Sequence, residues 1–259
     1  MSQNYLNDFI SQCHSNLLNA SSNEVRSAQL YLSKDRSIDE DSWKTHRVGY
    51  CPSDAFLHSS IKYLGSDEDN KWSIQRYVKG RLIVPIFSEF GDIVAFATKV
   101  PTMEAGNPWW NTKFIKSNHL FLLDKARYSV FNKNKIYIVE GYIDALMLYQ
   151  SGLRNVVAVM GTATTVRKIA LIARYCNNVC LCFDSDKNGS GDNAKNAMIA
   201  ILNKYSFCDE ISTIDSLPIG KDPANFVQEN GLKAFIDLER KLSEKEILKI
   251  SIDYANKSR

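Results

Sequence analysis

The sequence predicts an α/β protein, a parallel sheet flanked by helices and preceded by a mixed α+β region. Two observations carry this. From Lys135 onward, short β-branched apolar runs alternate with helical stretches of about 10 to 15 residues, the pattern of strands joined by crossover helices. Upstream, RLIVPIFSEFGDIVAFATKV holds two β-rich runs joined around Glu89, Phe90 and Gly91, which reads as a hairpin. A chain of 259 residues with 44% hydrophobic residues has material for one large domain or two modest ones.

The elements follow in order. Residues 5 to about 64 read as helical, with apolar spacing at Leu6, Phe9, Ile10 and Cys13. Within them YLSKDRSIDEDSWKTHRVGYCP reads as a short helix, a turn and a second short helix, with Ser37 as cap and Glu40 completing a capping box. The hairpin follows, then a loop rich in Gly, Pro and Trp near Gly106 to Trp110. KIYIVE is a strand, YIDALMLYQSG a helix with a Gly stop, and NVVAVMG a second strand. TTVRKIALIARY is a helix with a threonine cap, NVCLCFDSD a third strand, NAKNAMIAILNKY a third helix and CDEISTID a fourth strand. The expected divisions are 1–134, an N-terminal subdomain with a helical start and a basic hairpin region; 135–240, the α/β domain; and 241–259, a helical extension.

Charge is uneven along the chain. Met1 to Lys71 carries 7 basic and 10 acidic residues, Trp72 to Lys135 carries 10 and 4, and the remainder 15 and 15. The middle segment is therefore the candidate for meeting an anion such as a nucleic-acid backbone or a nucleotide. The six cysteines form no CxxC pair and no Cys/His zinc spacing, so buried thiols in a reducing compartment are expected, without zinc. No apolar run is long enough to span a bilayer, and the N-terminus lacks the form of a secretion signal; a cytoplasmic location is expected.

Ligands of such sheets bind beyond the carboxyl ends of the strands. Here those ends are acidic. The first strand ends at Glu140, followed by Gly141; the third at Asp184, with Asp186 two residues on; LPIGKDPANF, after the fourth, carries Asp222. Gathered carboxylates repel and would protonate on burial, and a divalent cation removes that conflict. Oxygen-only ligands select a hard ion, Mg2+ or Mn2+, as in two-metal phosphoryl or nucleotidyl transfer. DSDKNG is not an EF-hand loop, because its twelfth position is Lys195 and it follows a strand. IGKD is not a Walker motif, lacking the first Gly and the final Ser or Thr.

VEGYIDALMLYQSGLRNVVAVMGTATT followed by VCLCFDSDKNGSG resembles the Toprim catalytic domain of DnaG-type bacterial and phage primases. RLIVPIFSEFGDIVAFATKV, KFIKSNHLFLLDKARYSVF and KDPANFVQENG stand in the order seen in those primases, so the resemblance runs from about Tyr5 to about Leu248. It implies a Toprim-type sheet and a DNA-directed RNA polymerase that makes short RNA primers on single-stranded DNA from ribonucleoside triphosphates. Glu140 would be a metal ligand or the base for the attacking 3′-hydroxyl, with Glu140, Asp184 and Asp186 as the catalytic acids. Asp184, Asp186 and Asp222 would hold two ions, and Asp144 would support them from behind. Lys79, Arg81, Lys99, Lys113 and Lys125 match basic positions that face template or nucleotide phosphates, in a groove between the middle region and the sheet. The alternatives on the same scaffold are a metal-dependent nuclease and a non-catalytic replication subunit.

Departures from the family are also legible. Ala224 stands where a second Asp is common, so one metal site is weakened or Asn225 substitutes in part. Lys116 replaces the usual Asn before Ser117, and Lys187, Asn188 and Gly189 replace Arg-Ala-Gly. They point to a divergent member, of phage or other mobile-element origin. No zinc module precedes the core and no helicase-binding domain follows it, so a replicative helicase or another replication protein is expected to be supplied separately.

Overall fold

The computed structural model describes residues 3–55, 57, 71–104, 108–161, 165–184, 190–214, 217–218 and 220–257. The chain divides into two compact units, Met1–Phe114 and Ile115–Arg259.

The first unit builds a sheet against helices. Helix α1 (Gln3–Asn19) buries Leu6, Ile10, Cys13 and Leu17 along one face. Helix α2 (Asn23–Leu30), capped by Ser22, runs into a π-turn at Tyr31–Asp35. Helix α3 (Glu40–Thr45) does not start on Ser37, as the capping-box reading expects. Ser37 has φ 52°, so the chain turns there, and Asp39 caps instead, its carboxylate accepting the Ser42 N–H at 2.7 Å. The expected helical stretch to residue 64 is interrupted by strand β1 (Gly49–Cys51), and residues 58–64 lie outside the described ones. After α4 (Lys71–Val78), β2 (Arg81–Phe87) and β3 (Ile93–Lys99) form the expected hairpin, and β4 (Trp110–Asn111) adds an edge. The sheet order is β1-β2-β3-β4, all antiparallel. Ile83, Ile93 and Phe96 pack with Leu6, Ile10, Cys13, Cys51 and Val78 as its core.

The second unit is the sandwich anticipated from the alternating pattern. It runs α5 (Leu123–Lys133), β5 (Lys135–Val139), α6 (Tyr142–Gln150), β6 (Val156–Ala158), α7 (Val166–Ala173), β7 (Asn178–Leu181), α8 (Ser190–Tyr205) and β8 (Glu210–Ile214). Helix α9 (Pro223–Ile236), strand β9 (Glu239–Lys241) and α10 (Glu244–Lys257) complete it. The order is β6-β5-β7-β8-β9, with β6, β5, β7 and β8 parallel and β9 antiparallel at the edge. Ile136, Ile138, Val157, Val179, Leu181 and Ile211 meet Ile169, Ile172, Met198 and Leu202 in one apolar core.

The division at residue 114 differs from the sequence-based one at 134. Residues 115–134 belong with the parallel sheet: Phe121 bridges Ala158 of β6, and Leu120, Leu123, Ala126 and Val130 enter its core. Nor do residues 241–259 stand apart, since α10 packs on α8 and Ile247 and Ile250 touch the same core.

Candidate active site

The carboxyl edge of the parallel sheet is where the acidic residues lie. Glu140 follows β5 directly, because Gly141 stops the strand and caps α6. A Cβ on Gly141 would stand 2.6 Å from Asp144 Oδ2, so glycine is what lets the Asp144 carboxyl fold back onto the helix start. Asp184 follows β7 three residues after its last member, Leu181. Gly191, in the first turn of α8, closes the arrangement. A Cβ there would lie 2.3 Å from the Asp184 carbonyl oxygen and 3.0 Å from Glu140 Oε1. The Glu140 carboxylate and the Asp184 backbone carbonyl thus meet around one glycine, and Glu140 Oε1 and Asp184 Oδ1 are both shielded from solvent.

Asp222 arrives from the far side of β8 as the cap of α9. Its Oδ1 accepts the Asn225 N–H at 2.6 Å, with Pro223 at the first helical position. Asp144 is buried beneath, 7% exposed, and its Oδ1 accepts the buried Ala224 N–H at 3.2 Å. Burial, reinforced by the charges of Asp222 and Asp184, pushes the Asp144 carboxyl up to about 8. Four acidic side chains, two from strand ends, one from the first turn of α6 and one from the cap of α9, therefore share this edge. Asp186 lies outside the described residues.

The donors are hard carboxylate oxygens, two of them desolvated, and this chemistry suits a divalent metal ion. Among the described residues alone, no group of three or more His, Cys, Asp or Glu is close enough to hold a metal ion.

The basic residues named from the sequence separate. In the first unit Arg81 and Lys99 come together on neighbouring strands. Arg81 Nη1 donates to Thr98 Oγ1 at 3.2 Å, and its guanidinium stands 5.9 Å from the Tyr77 ring centroid. The Lys99 ammonium is 6.0 Å from the Trp109 ring centroid. Burial, then the charges of Arg36 and Arg81, lower the Lys99 pKa, and burial lowers that of Arg81. Tyr77 stacks on Trp110, centroids 5.2 Å apart and planes 5° off parallel. Cations interleaved with aromatic faces are the surface that single-stranded nucleic acids use. Lys79 is half-buried next to Arg81 and Lys113 is exposed. Lys125 lies in the second unit on α5, 3.4 Å from its neighbour Asp124.

Two contributors escaped the sequence reading. Arg36 is brought near Lys99 only by the tertiary fold, its Nε donating to Tyr31 Oη at 2.9 Å. Gly191 had a signal, a glycine opening a helix a few residues after a DxD pair.

A parallel sheet with acids at the ends of its first and third strands defines a Toprim-like domain, and the Toprim-like family model matches residues 137–227. The chain is similar to the DnaG-type primases, whose catalytic-core fold it carries almost end to end. It is 32% identical to a DNA primase of Clostridium acetobutylicum over 223 residues, covering 79% of this chain and 36% of the relative. The RNA polymerase domain of Mycobacterium tuberculosis primase DnaG superposes with a TM-score of 0.73 at 22% identity, covering 98% of this chain and 85% of that one. A DnaG primase catalytic domain solved bound to single-stranded DNA gives 0.72 at 23%, covering 91% and 79%. The chain spans little more than a third of the length of the curated relatives it matches.

Proposed function

We propose that this chain is the catalytic core of a DNA primase, a nucleotidyltransferase that copies single-stranded DNA into short RNA primers from ribonucleoside triphosphates. The observation that carries this reading is the approach of the Glu140 carboxylate to the Asp184 backbone around Gly191, with Asp144 feeling the charges of both Asp184 and Asp222. It stands in a chain folded throughout like DnaG catalytic cores.

In this reading Asp184, Asp186 and Asp222 hold divalent cations, Mg2+ or Mn2+, with Asp186 completing the set. The chemistry supplied by the bound cations is neutralisation of charge on the reacting phosphates. Glu140 takes the proton of the primer 3′-hydroxyl as it attacks the α-phosphate and the α–β bond breaks to release pyrophosphate, or joins the ligand set. Asp144, buried beneath, accepts the Ala224 N–H, steadies the start of α9 and so holds Asp222 in place. Arg36, Arg81, Lys99 and the nearby Lys79 and Lys113 contact template phosphates, and the Tyr77–Trp110 pair offers a face on which a base stacks. Lys125 contributes from α5. The DnaG catalytic domain bound to single-stranded DNA supports the template assignment. A helicase or other replication protein would be a separate partner, and the cytoplasm the place of action.

The test is primer synthesis on single-stranded DNA with labelled ribonucleotides, with and without Mg2+ or Mn2+. Synthesis should require the ion, and Asp184→Ala and Asp186→Ala should lose at least about a hundredfold while staying folded. Full synthesis by either variant removes the assignment, and shortening of added DNA in place of primer formation makes the chain a nuclease.

A further inference from the structure

Thr98 places a hydroxyl inside the first unit's sheet. It stands on β3 between Ile83 of β2 and Trp110 of β4, and it is fully buried, 0% exposed. A hydroxyl in such a place destabilises the fold unless it is hydrogen-bonded. Its Oγ1 donates to the Tyr77 carbonyl oxygen at 2.5 Å. Tyr77 lies in the last turn of α4, where carbonyls have no partner further along the helix, so this bond closes the helix end. A hydroxyl has one hydrogen, and with that hydrogen engaged by Tyr77 the oxygen can only accept. Arg81 Nη1 is the group that donates to it, at 3.2 Å. The relay from Arg81 through Thr98 to Tyr77 therefore runs in one direction.

Arg81 is half-buried at the start of β2. Its guanidinium is confined on another side by the Tyr77 ring, itself stacked on Trp110. Among the described residues Thr98 is its hydrogen-bond partner, and no carboxylate pairs with it. A half-buried cation in that state is completed by an anion from outside. The guanidinium carries five donors in a rigid fork. With Nη1 turned to Thr98, the Nε–Nη2 edge remains to grip an anion through two parallel bonds.

We propose that Thr98 is a positioning residue for template binding, holding the Arg81 guanidinium so that its Nε–Nη2 edge grips one phosphate of a single strand. Without the hydroxyl the arginine regains rotamer freedom that binding must then remove. The inference rests on the template reading of Arg81 for its ligand, whereas the hold on the side chain is measured without nucleic acid.

The experiment uses the full chain, a labelled oligodeoxythymidine and the variants Thr98→Val, Thr98→Ser, Arg81→Gln and Thr98→Val/Arg81→Gln, with circular dichroism to confirm folding. In the DNA-free chain, 15N relaxation of the Arg81 Nε–H should give an order parameter that falls below about 0.6 in Thr98→Val and stays at the parent's value in Thr98→Ser. Oligonucleotide affinity should fall about three- to tenfold in Thr98→Val and stay within about twofold in Thr98→Ser. In the Arg81→Gln background, Thr98→Val should change affinity by less than about twofold, whereas a purely structural role would weaken both backgrounds alike. Thr98→Ala, which removes the hydroxyl and cannot overpack, gives the same readouts if valine disturbs the fold. An Arg81 side chain as ordered in Thr98→Val as in the parent overturns the proposal, as does a loss of affinity that adds in full to that of Arg81→Gln. If Thr98→Val loosens Arg81 while neither it nor Arg81→Gln alters oligonucleotide binding, the template reading falls and the hold of Thr98 on Arg81 stands. If Arg81→Gln weakens binding and Thr98→Val leaves both order and affinity unchanged, the template reading stands and the positioning role falls.

Discussion

Asp144 shows how a single side chain is set by its surroundings. A carboxyl buried beside Asp184 and Asp222 and pushed to about 8 carries its proton at pH 7. Asparagine has the same shape and keeps an oxygen for the Ala224 N–H, so Asp144→Asn should change Tm by no more than about 2 °C at pH 7. Alanine leaves that buried N–H without its acceptor, at a cost of about 1–3 kcal/mol. For a chain of this size Tm of Asp144→Ala should then fall by roughly 3–10 °C. Thermal unfolding of both variants checks this. If asparagine is as damaging as alanine, the residue works as a charged group and its neutral supporting role is wrong. Glu140, Asp184 and Asp222 were legible in the sequence because each sits where an apolar run gives way to a glycine, a DxD or an Asp-Pro pair. Asp222 was not legible as a helix cap, and Gly191 not as a point of contact, because both depend on where the next helix settles.

Elements whose stability is local were legible; those that exist through partners were not. The hairpin of β2 and β3 and the alternation from β5 to β8 announce themselves by period and β-branching. Strand β9, Glu-Arg-Lys, carries no apolar signal, since charged residues are what an exposed edge strand tolerates. Its anchor is Glu239, 104 residues from Lys135 in the chain, which accepts hydrogen bonds from Lys135, from Ser212 and, at 2.7 Å, from Tyr137 Oη. Burial alone would raise the Glu239 carboxyl; the bonds from Lys135, Ser212 and Tyr137 outweigh it and hold the pKa below 4.5. With a folded pKa below the unfolded one, its contribution is present above about pH 4.5 and disappears as pH falls through the folded value. Glu239→Gln should therefore destabilise by about 1–3 kcal/mol at pH 7, with the gap to the parent narrowing below pH 4.5. Denaturant unfolding across pH 3 to 7 measures it, and a gap that stays constant over that range contradicts the ionic anchor.

At the scale of the whole molecule, the division of charge differs from the one drawn along the chain. Met1–Phe114 holds 12 basic and 13 acidic residues and Ile115–Arg259 holds 20 and 16, so the surplus of positive charge belongs to the unit with the acidic site. The Arg36, Arg81 and Lys99 group is thus a local concentration in a unit of slight net negative charge; the basic surplus of Trp72–Lys135 pointed to Arg81 and Lys99 but not to Arg36. Each phosphate of a single strand that a protein neutralises steepens the fall of log K with log salt by about 0.7. If Arg81 and Lys99 each meet one phosphate, Arg81→Gln and Lys99→Gln should each reduce the slope for a single-stranded oligonucleotide by about 0.7. Fluorescence anisotropy from about 50 to about 200 mM salt measures it. A slope that neither variant alters takes the template phosphates away from Arg81 and Lys99, and the Arg36, Arg81 and Lys99 group would then be a structural cluster.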